Sequence, residues 1–226
     1  MKKILVVVDM QNDFIDGPLG TPEARAIVDN VCAKIREGEW DWIIRTMDTH
    51  GNGTYFYTQE GKKLPIGHCF TNTHGWCSNE DVRNAIQSTV YDSNNMDDHC
   101  ETSIIRKNTF GSTALVDKIN TMLRTRKFAA ELEKDIELTL IGVCTDICVI
   151  SNALLLKAHY PEMKIVVDAA CCAGSSPEKH RMALEVMKSC QIEIENMPED
   201  WIMLSDMKKS TMTRVLEALG DSGMED

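Results

Sequence analysis

The stretch Glu137-Leu138-Thr139-Leu140-Ile141-Gly142-Val143-Cys144-Thr145-Asp146-Ile147-Cys148 decides how this chain is read. Glu137 to Val143 is a short, mostly apolar run that reads as a buried strand, and Val149 to Tyr160 continues as a helical run. Cys148 therefore stands in the first turn of a helix, just past the carboxyl end of a strand. A helix N-terminus carries partial positive charge and free backbone N–H groups. Both favour thiolate over thiol, and the thiolate is the nucleophile. The same N–H groups can hold an oxyanion. The expectation is an activated thiol at the rim of a sheet.

The pattern repeats on both sides of this stretch. Lys3 to Val8 is a first strand ending at Asp9, and Ala24, Ile27, Val28, Val31 and Ile35 fall at helical spacing behind a Pro22-Glu23 start. Trp42 to Thr46 reads as a second strand. From Met47 to Asn79 periodicity gives way to Gly, Thr, Asn, His and aromatics, and a loop of that length is usually functional. A helix over Asn79 to Val90, a short strand over Ser103 to Arg106 and a helix marked by Leu115, Ile119, Met122 and Leu123 follow. Beyond Cys148 come a strand over Lys164 to Asp168, a helix over Glu178 to Cys190 and a strand over Ile192 to Glu195. The tail after Pro198 carries an amphipathic turn or two around Met207 to Leu219. Strands alternating with helices predict a three-layer α/β/α architecture on a six-stranded parallel sheet, as one domain over residues 1–226. In such sheets the site lies outside the carboxyl ends of the strands. Asp9, Asp48, Lys107 and Cys148 all fall at or just past such ends.

Composition narrows the function classes. The 226 residues suffice for a full core without disulfides, and the net charge of −11 argues against nucleic acid, whose phosphates need a basic patch. The apolar run at the start is too short for a signal peptide, and no segment approaches the roughly 20 apolar residues that span a bilayer. A cytoplasmic protein without a membrane partner is expected. The nine cysteines are scattered through apolar elements, as at Cys32 and Cys190, which fits reduced and mostly buried thiols. Cys148 is exempt from that reading.

A cysteine nucleophile needs a base for its proton and a cation beside the thiolate. Asp9, desolvated at a strand mouth, can be the base, and Lys107 the cation. Singly, Asp9 reads equally as a cap and Lys107 as a solvated surface lysine. In the long loop, Asp48, His50, Glu60 and His68 form a donor set suited to zinc or a similar divalent ion. The alternative there is a structured lid whose histidines hydrogen-bond loop backbone, to which His74 and His99 are assigned. Cys69 beside His68 reads as packing rather than as a ligand.

Four segments, in order, resemble one family. They are Val7-Val8-Asp9-Met10-Gln11-Asn12-Asp13-Phe14, Leu64-Pro65-Ile66-Gly67-His68-Cys69 with Thr73-His74-Gly75-Trp76 behind it, Arg106-Lys107-Asn108-Thr109-Phe110-Gly111-Ser112, and Gly142-Val143-Cys144-Thr145-Asp146-Ile147-Cys148-Val149. The chain is similar in these to the nicotinamidase and isochorismatase-like cysteine hydrolases, and closest to the metal-dependent nicotinamidases. The resemblance implies the isochorismatase-like hydrolase fold, with Asp9, Lys107 and Cys148 as the catalytic triad. It implies a cis peptide before Cys144 and an oxyanion hole from the backbone N–H groups of Cys144 and Cys148. It implies a metal held by Asp48, His50 and His68, with Glu60 where some relatives supply a further ligand. The ion is expected to be zinc, with manganese or iron as alternatives. The substrate implied is a small amide, nicotinamide, converted to nicotinate and ammonia through a Cys148 thioester in NAD salvage. Phe14 is a candidate wall for a flat ring. Many nicotinamidases carry a tryptophan before the Pro-x-His stretch, where this chain has Leu64. Trp76, Tyr55, Phe56 or Tyr57 are the candidates for the missing face. Asn72 stands where glycine is usual. Two other readings remain: a related cysteine amidase acting on another small amide or carbamoyl compound, and a metal- or redox-sensing protein on the same fold. The family often forms dimers or larger assemblies, so a homo-oligomer is open, but no apolar stripe here argues one.

Overall fold

Runs of β-branched and apolar residues build the sheet. In the computed structural model, which describes residues 1–91, 100–125 and 133–198, the strands are β1 (Lys2–Val8), β2 (Trp42–Asp48), β3 (Glu101–Lys107), β4 (Ile136–Val143), β5 (Lys164–Ala173) and β6 (Glu193–Glu195). Their order across the sheet is β3-β2-β1-β4-β5-β6, and every pairing is parallel. Between them run α1 (Asn12–Ile15), α2 (Pro22–Ala26), α3 (Val28–Glu37), α4 (Gln59–Lys63), α5 (Glu80–Tyr91), α6 (Thr113–Leu123), α7 (Ile150–His159) and α8 (Pro177–Ser189).

Successive strand residues point to opposite faces, so a continuous apolar strand feeds two cores. Ile4, Val6 and Val8 pack with Leu115 and Ile119 of α6, Ala153 and Leu156 of α7, and Leu184 of α8. Leu5 and Val7 pack with Val31 and Ile35 of α3 and with Val82, Ala85 and Ile86 of α5. Helices on both faces and a six-stranded parallel sheet are the α/β/α arrangement expected from the alternation of elements. The chain leaves β1 towards β2 on one side and returns to its other side as β4, so the strand order reverses between β1 and β4. Ligands of open parallel sheets bind at that kind of crevice.

Several elements differ from their sequence expectation. The helix behind Pro22 is two helices, because Ile27 closes α2 and caps α3. β2 runs two residues beyond Thr46 to Asp48. β5 continues past Asp168 through Ala169-Ala170-Cys171-Cys172-Ala173, small residues that carry no β-branched signal. The 47–79 stretch holds a 3-10 turn at Tyr55–Tyr57 and α4, capped by Thr58 Oγ1 accepting the Gly61 N–H at 3.0 Å. Both are too short to show a helical period. Asn72 has φ of +65°, a left-handed conformation that asparagine tolerates better than most residues. Met207 to Leu219 and His99 lie outside the described residues. Among those described, no helix is long and apolar enough to cross a membrane.

Candidate active site

Four adjacent strands deliver four side chains to one rim. Asp9 follows β1, Asp48 and Lys107 end β2 and β3, and Cys148 lies beyond β4. Asp9, Lys107 and Cys148 are buried, with relative exposures of 0%, 5% and 6%. Lys107 Nζ lies 2.6 Å from Asp9 Oδ2 and donates to Cys148 Sγ at 3.5 Å. The other carboxylate oxygen, Asp9 Oδ1, accepts from Thr46 Oγ1 at 2.7 Å. Asp9 itself has φ of +49°, which turns the chain out of β1 directly after the strand.

Cys148 is not in the first turn of an α-helix. It lies in a π turn, Thr145–Val149, that precedes α7 and follows a cis Val143–Cys144 peptide. The Cys144 carbonyl takes the N–H groups of Ile147 and Val149 and skips that of Cys148 between them. Burial pushes the Cys148 thiol well up, Asp9 adds to this, and Lys107 opposes it. The expected bias towards a resting thiolate is therefore corrected: the Lys107 charge is already matched by Asp9, and the thiol is desolvated. Burial also raises Asp9 above the ordinary carboxylate range, against the pull of Lys107 and Thr46. Burial pulls Lys107 down, but Asp9, Cys148 and Asp48 more than reverse it and hold the ammonium. The arrangement is a buried cation between a desolvated carboxylate and a protonated thiol, suited to moving one proton between them.

A second constellation adjoins the first, with Lys107 Nζ 4.0 Å from Asp48 Oδ1. Asp48, His50, Glu60 and His68 each aim one donor atom into a region where all lie within 4.8 Å of one another. His50 Nε2 is 2.9 Å and His68 Nε2 3.3 Å from Asp48 Oδ2; Glu60 Oε1 is 3.8 Å and 3.5 Å from the same two nitrogens. His68 Nδ1 donates to the Ile66 carbonyl at 2.9 Å, which directs its Nε2 at the cluster. Burial alone would lower His68, but Asp48 and Glu60 bring it up to about 10. Burial would raise Asp48, but its hydrogen bonds to His50 and His68 and the charge of Lys107 hold it well below the usual carboxylate range. Two imidazole nitrogens and two carboxylates fit a divalent ion. Cys69 is buried outside this group, with its N–H on Asp13 Oδ2 at 2.7 Å. His74 is exposed, and its carbonyl accepts from Asn12 Nδ2.

Cys148 and the four donors line one cavity of about 890 Å³, while Asp9 and Lys107 are buried and not among its lining residues. Phe14, Leu64, Tyr55, Phe110 and Ile147 supply apolar wall. Trp76 does not line it: its indole Nε1 donates to Thr49 Oγ1 at 2.9 Å, and the Arg106 guanidinium sits 5.0 Å from its ring. Nor do Phe56 and Tyr57, which are 47% and 80% exposed. Tyr55 packs its ring on His50 and His68, with centroids 4.7 Å and 5.1 Å away. Phe110 was unmarked in the sequence as a wall, although the Lys-Asn-Thr-Phe run puts it three residues beyond Lys107. Asn152, inside α7, carries no functional signature in the sequence either. Its amide accepts the Ser112 N–H and donates to the Cys148 and Phe110 carbonyls, tying α7 to both the thiol turn and the Lys107 loop.

Comparison with known proteins shows the family and the fold. The isochorismatase domain profile matches residues 3–197. A Bacillus subtilis protein described as an uncharacterized isochorismatase family protein, PncA, is 26% identical over 189 residues, 81% of this chain and 93% of its own. The crystal structure of nicotinamidase/pyrazinamidase PncA from Bacillus subtilis is similar with a TM-score of 0.63 and 28% identity, covering 87% of this chain and 100% of that one. The pyrazinamidase of Pyrococcus horikoshii, solved in complex with zinc, has a TM-score of 0.63 and 26% identity, covering 87% and 100%.

Proposed function

The chain belongs to the isochorismatase family, and from that premise we propose that it hydrolyses nicotinamide to nicotinate and ammonia through a thioester on Cys148. It is a hydrolase of amide C–N bonds, as its nicotinamidase relatives are by name. The observation that carries the finer reading is Lys107 between Asp9 and Cys148, at 2.6 Å and 3.5 Å, with Cys148 lining the same cavity as a four-donor metal set.

The chemistry follows from these contacts. Asp9 takes the Cys148 proton while Lys107 stays cationic beside both. The sulfur attacks the amide carbonyl carbon, and the resulting oxyanion is held by the backbone N–H groups of Cys144 and Cys148. Asp9 returns the proton to nitrogen, the C–N bond breaks and ammonia leaves. A water then loses its proton to Asp9 and attacks the thioester carbonyl. The C–S bond breaks, Asp9 returns its proton to the Cys148 sulfur, and the carboxylic acid departs as its anion by losing its own proton to solvent. A base that must accept a proton from a buried thiol works best with a raised pKa, which is what burial gives Asp9. Asp48, His50, Glu60 and His68 would hold a divalent ion, zinc in the first place and otherwise manganese or iron, which supplies an electrophilic anchor for the ring nitrogen. Phe14 and Leu64 then border the ring. Nicotinate formed in this way would feed NAD salvage.

A second reading within the same chemistry, a different small amide or carbamoyl compound, is favoured by the wall itself. Leu64 replaces a stacking tryptophan, and the cavity is larger than one pyridine ring requires. Ammonia release from a panel of small amides, measured on metal-loaded protein, separates the two. Nicotinamide is expected to be turned over fastest. Cys148→Ala and Lys107→Ala are expected to bring release to background, a loss on the order of 10³-fold or more. Turnover of another amide with none of nicotinamide selects the second reading, and no ammonia from any amide removes both.

A further inference from the structure

Gln11 lies two residues past Asp9 and is wholly buried. Its side chain makes three hydrogen bonds. Oε1 accepts the Asp48 N–H at 2.7 Å, and Nε2 donates to the Asp48 carbonyl at 2.9 Å and to the Trp76 carbonyl at 2.8 Å. The reason for this embrace is in the ladder. β1 pairs with β2 as far as Val8 opposite Thr46. At Asp9 the chain turns away with φ of +49°, so Asp48 has a strand neighbour only on the β3 side, at Lys107. The Gln11 carboxamide has the donor and acceptor of a peptide group, and it occupies the place that β1 leaves.

Asp48 is the carboxylate both constellations share, 2.9 Å from His50 Nε2, 3.3 Å from His68 Nε2 and 4.0 Å from Lys107 Nζ. A rotation of its main chain would move that carboxylate out of the donor set. We infer that Gln11 is a positioning residue for the metal: it stands in for the missing strand and fixes Asp48 as a ligand. The Trp76 carbonyl extends the hold, because Trp76 Nε1 in turn binds Thr49 Oγ1 between Asp48 and His50. This inference rests on the reading of the Asp48 group as a metal site.

The test is zinc affinity of the full chain, by competition with a chelating dye, in wild type, Gln11→Leu and Gln11→Glu. Cys148 alkylation by iodoacetamide and the melting temperature are read in parallel. Removing a group that orients a ligand costs roughly 10- to 100-fold in metal affinity. Gln11→Leu is expected to lose zinc affinity in that range while Cys148 alkylates close to the wild-type rate. Gln11→Glu keeps the acceptor for the Asp48 N–H but cannot donate to either carbonyl, and is expected to fall between the two. Unchanged zinc affinity in Gln11→Leu overturns the inference. So does a joint loss of zinc, thiol protection and cooperative melting, which marks a general structural lesion. If Gln11→Leu does not fold, the near-isosteric Gln11→Glu decides, and wild-type affinity there overturns it. A wild-type protein that binds no zinc removes the metal reading and this inference together, whereas equal binding by all three removes only the role of Gln11.

Discussion

At the scale of single residues, the two oxygens of Asp9 have different duties. Oδ2 faces Lys107 at 2.6 Å, and Oδ1 accepts from Thr46 Oγ1 at 2.7 Å. The Asp9 N–H also donates to Thr46 Oγ1, at 3.2 Å, so one hydroxyl fixes both the backbone and the side chain of the proposed base. The Thr46 bond lowers the Asp9 pKa, against the larger upward push of burial. Thr46→Val keeps the shape and deletes both bonds. Asp9 then stays protonated to higher pH, so the acid limb of the kcat/KM profile moves towards neutrality. A hydrogen bond to a charged group is worth about 1.5–3 kcal/mol, which corresponds to a loss of roughly 10- to 100-fold in kcat/KM below neutrality. Thr46→Ser restores the bond and should recover most of the rate. A Thr46→Val profile that superposes on wild type would remove Thr46 from the account of the base. Asp9, Lys107 and Cys148 were legible in the sequence because each ends a strand or opens the turn after one, and topology gathers such ends. Thr46 and Gln11 were not, because a threonine inside a strand and a glutamine after one look alike whether or not they touch a reacting group.

At the scale of elements, the site depends on how closely β1 and β4 approach at the switch point. Gly142 has φ of +118°, and a Cβ there would lie 2.1 Å from the Val8 carbonyl oxygen. The pairing of β4 with β5 also shifts register between Leu140 and Gly142, and Cys144 follows two residues later. Gly142→Ala must both adopt an unfavourable backbone and displace β1, so it should destabilise by at least about 1–3 kcal/mol from the backbone alone. Urea unfolding measures this, and wild-type stability in Gly142→Ala would contradict the close approach. The same region shows why some elements were readable and others not. β4 announces itself by Leu138, Leu140, Ile141 and Val143, which fill both cores. The second half of β5 is alanine and cysteine, small enough to lie beside the turn at Gly142 but without strand signature. The π turn under Cys148 has no sequence signature at all, since its composition suits an ordinary helix start equally well. The sheet-and-helix order was therefore legible, while the local geometry that buries the thiol was not.

At the scale of the whole molecule, the four donors come from separate stretches, of which those of His50 and His68 meet where the His50 N–H donates to the Cys69 carbonyl and the Thr71 N–H to the His50 carbonyl, both at 3.0 Å. Asp48 and His50 belong to β2 and the residue pair after it, Glu60 to α4, and His68 to the return from α4. Tyr55 holds the middle, with its ring against both histidines and its hydroxyl on the Leu64 carbonyl at 2.8 Å. An ion on this set would cross-link the 49–79 segment to the sheet, so chelation should lower the melting temperature. Binding at about 1,000 times Kd contributes about 4 kcal/mol, or on the order of 10 °C for a chain of this size. The effect depends on pH in a direction the site fixes. In metal-stripped protein the Asp48 and Glu60 carboxylates bring His68 up to about 10, against about 6.5 for an unfolded histidine. A raised folded pKa gives stability that is complete below the unfolded value and lost as pH rises through the folded one. Across that window the stripped protein should lose up to about 1.4 kcal/mol per pH unit. Loaded protein has no proton at His68 Nε2 to lose, because the ion takes that lone pair. The gap in melting temperature between loaded and stripped protein should therefore widen steadily from mildly acidic to alkaline pH, and His68→Asn should abolish the widening. A gap that is constant across the series would mean that His68 Nε2 does not exchange a proton for a metal, and the second constellation would be a hydrogen-bonded lid.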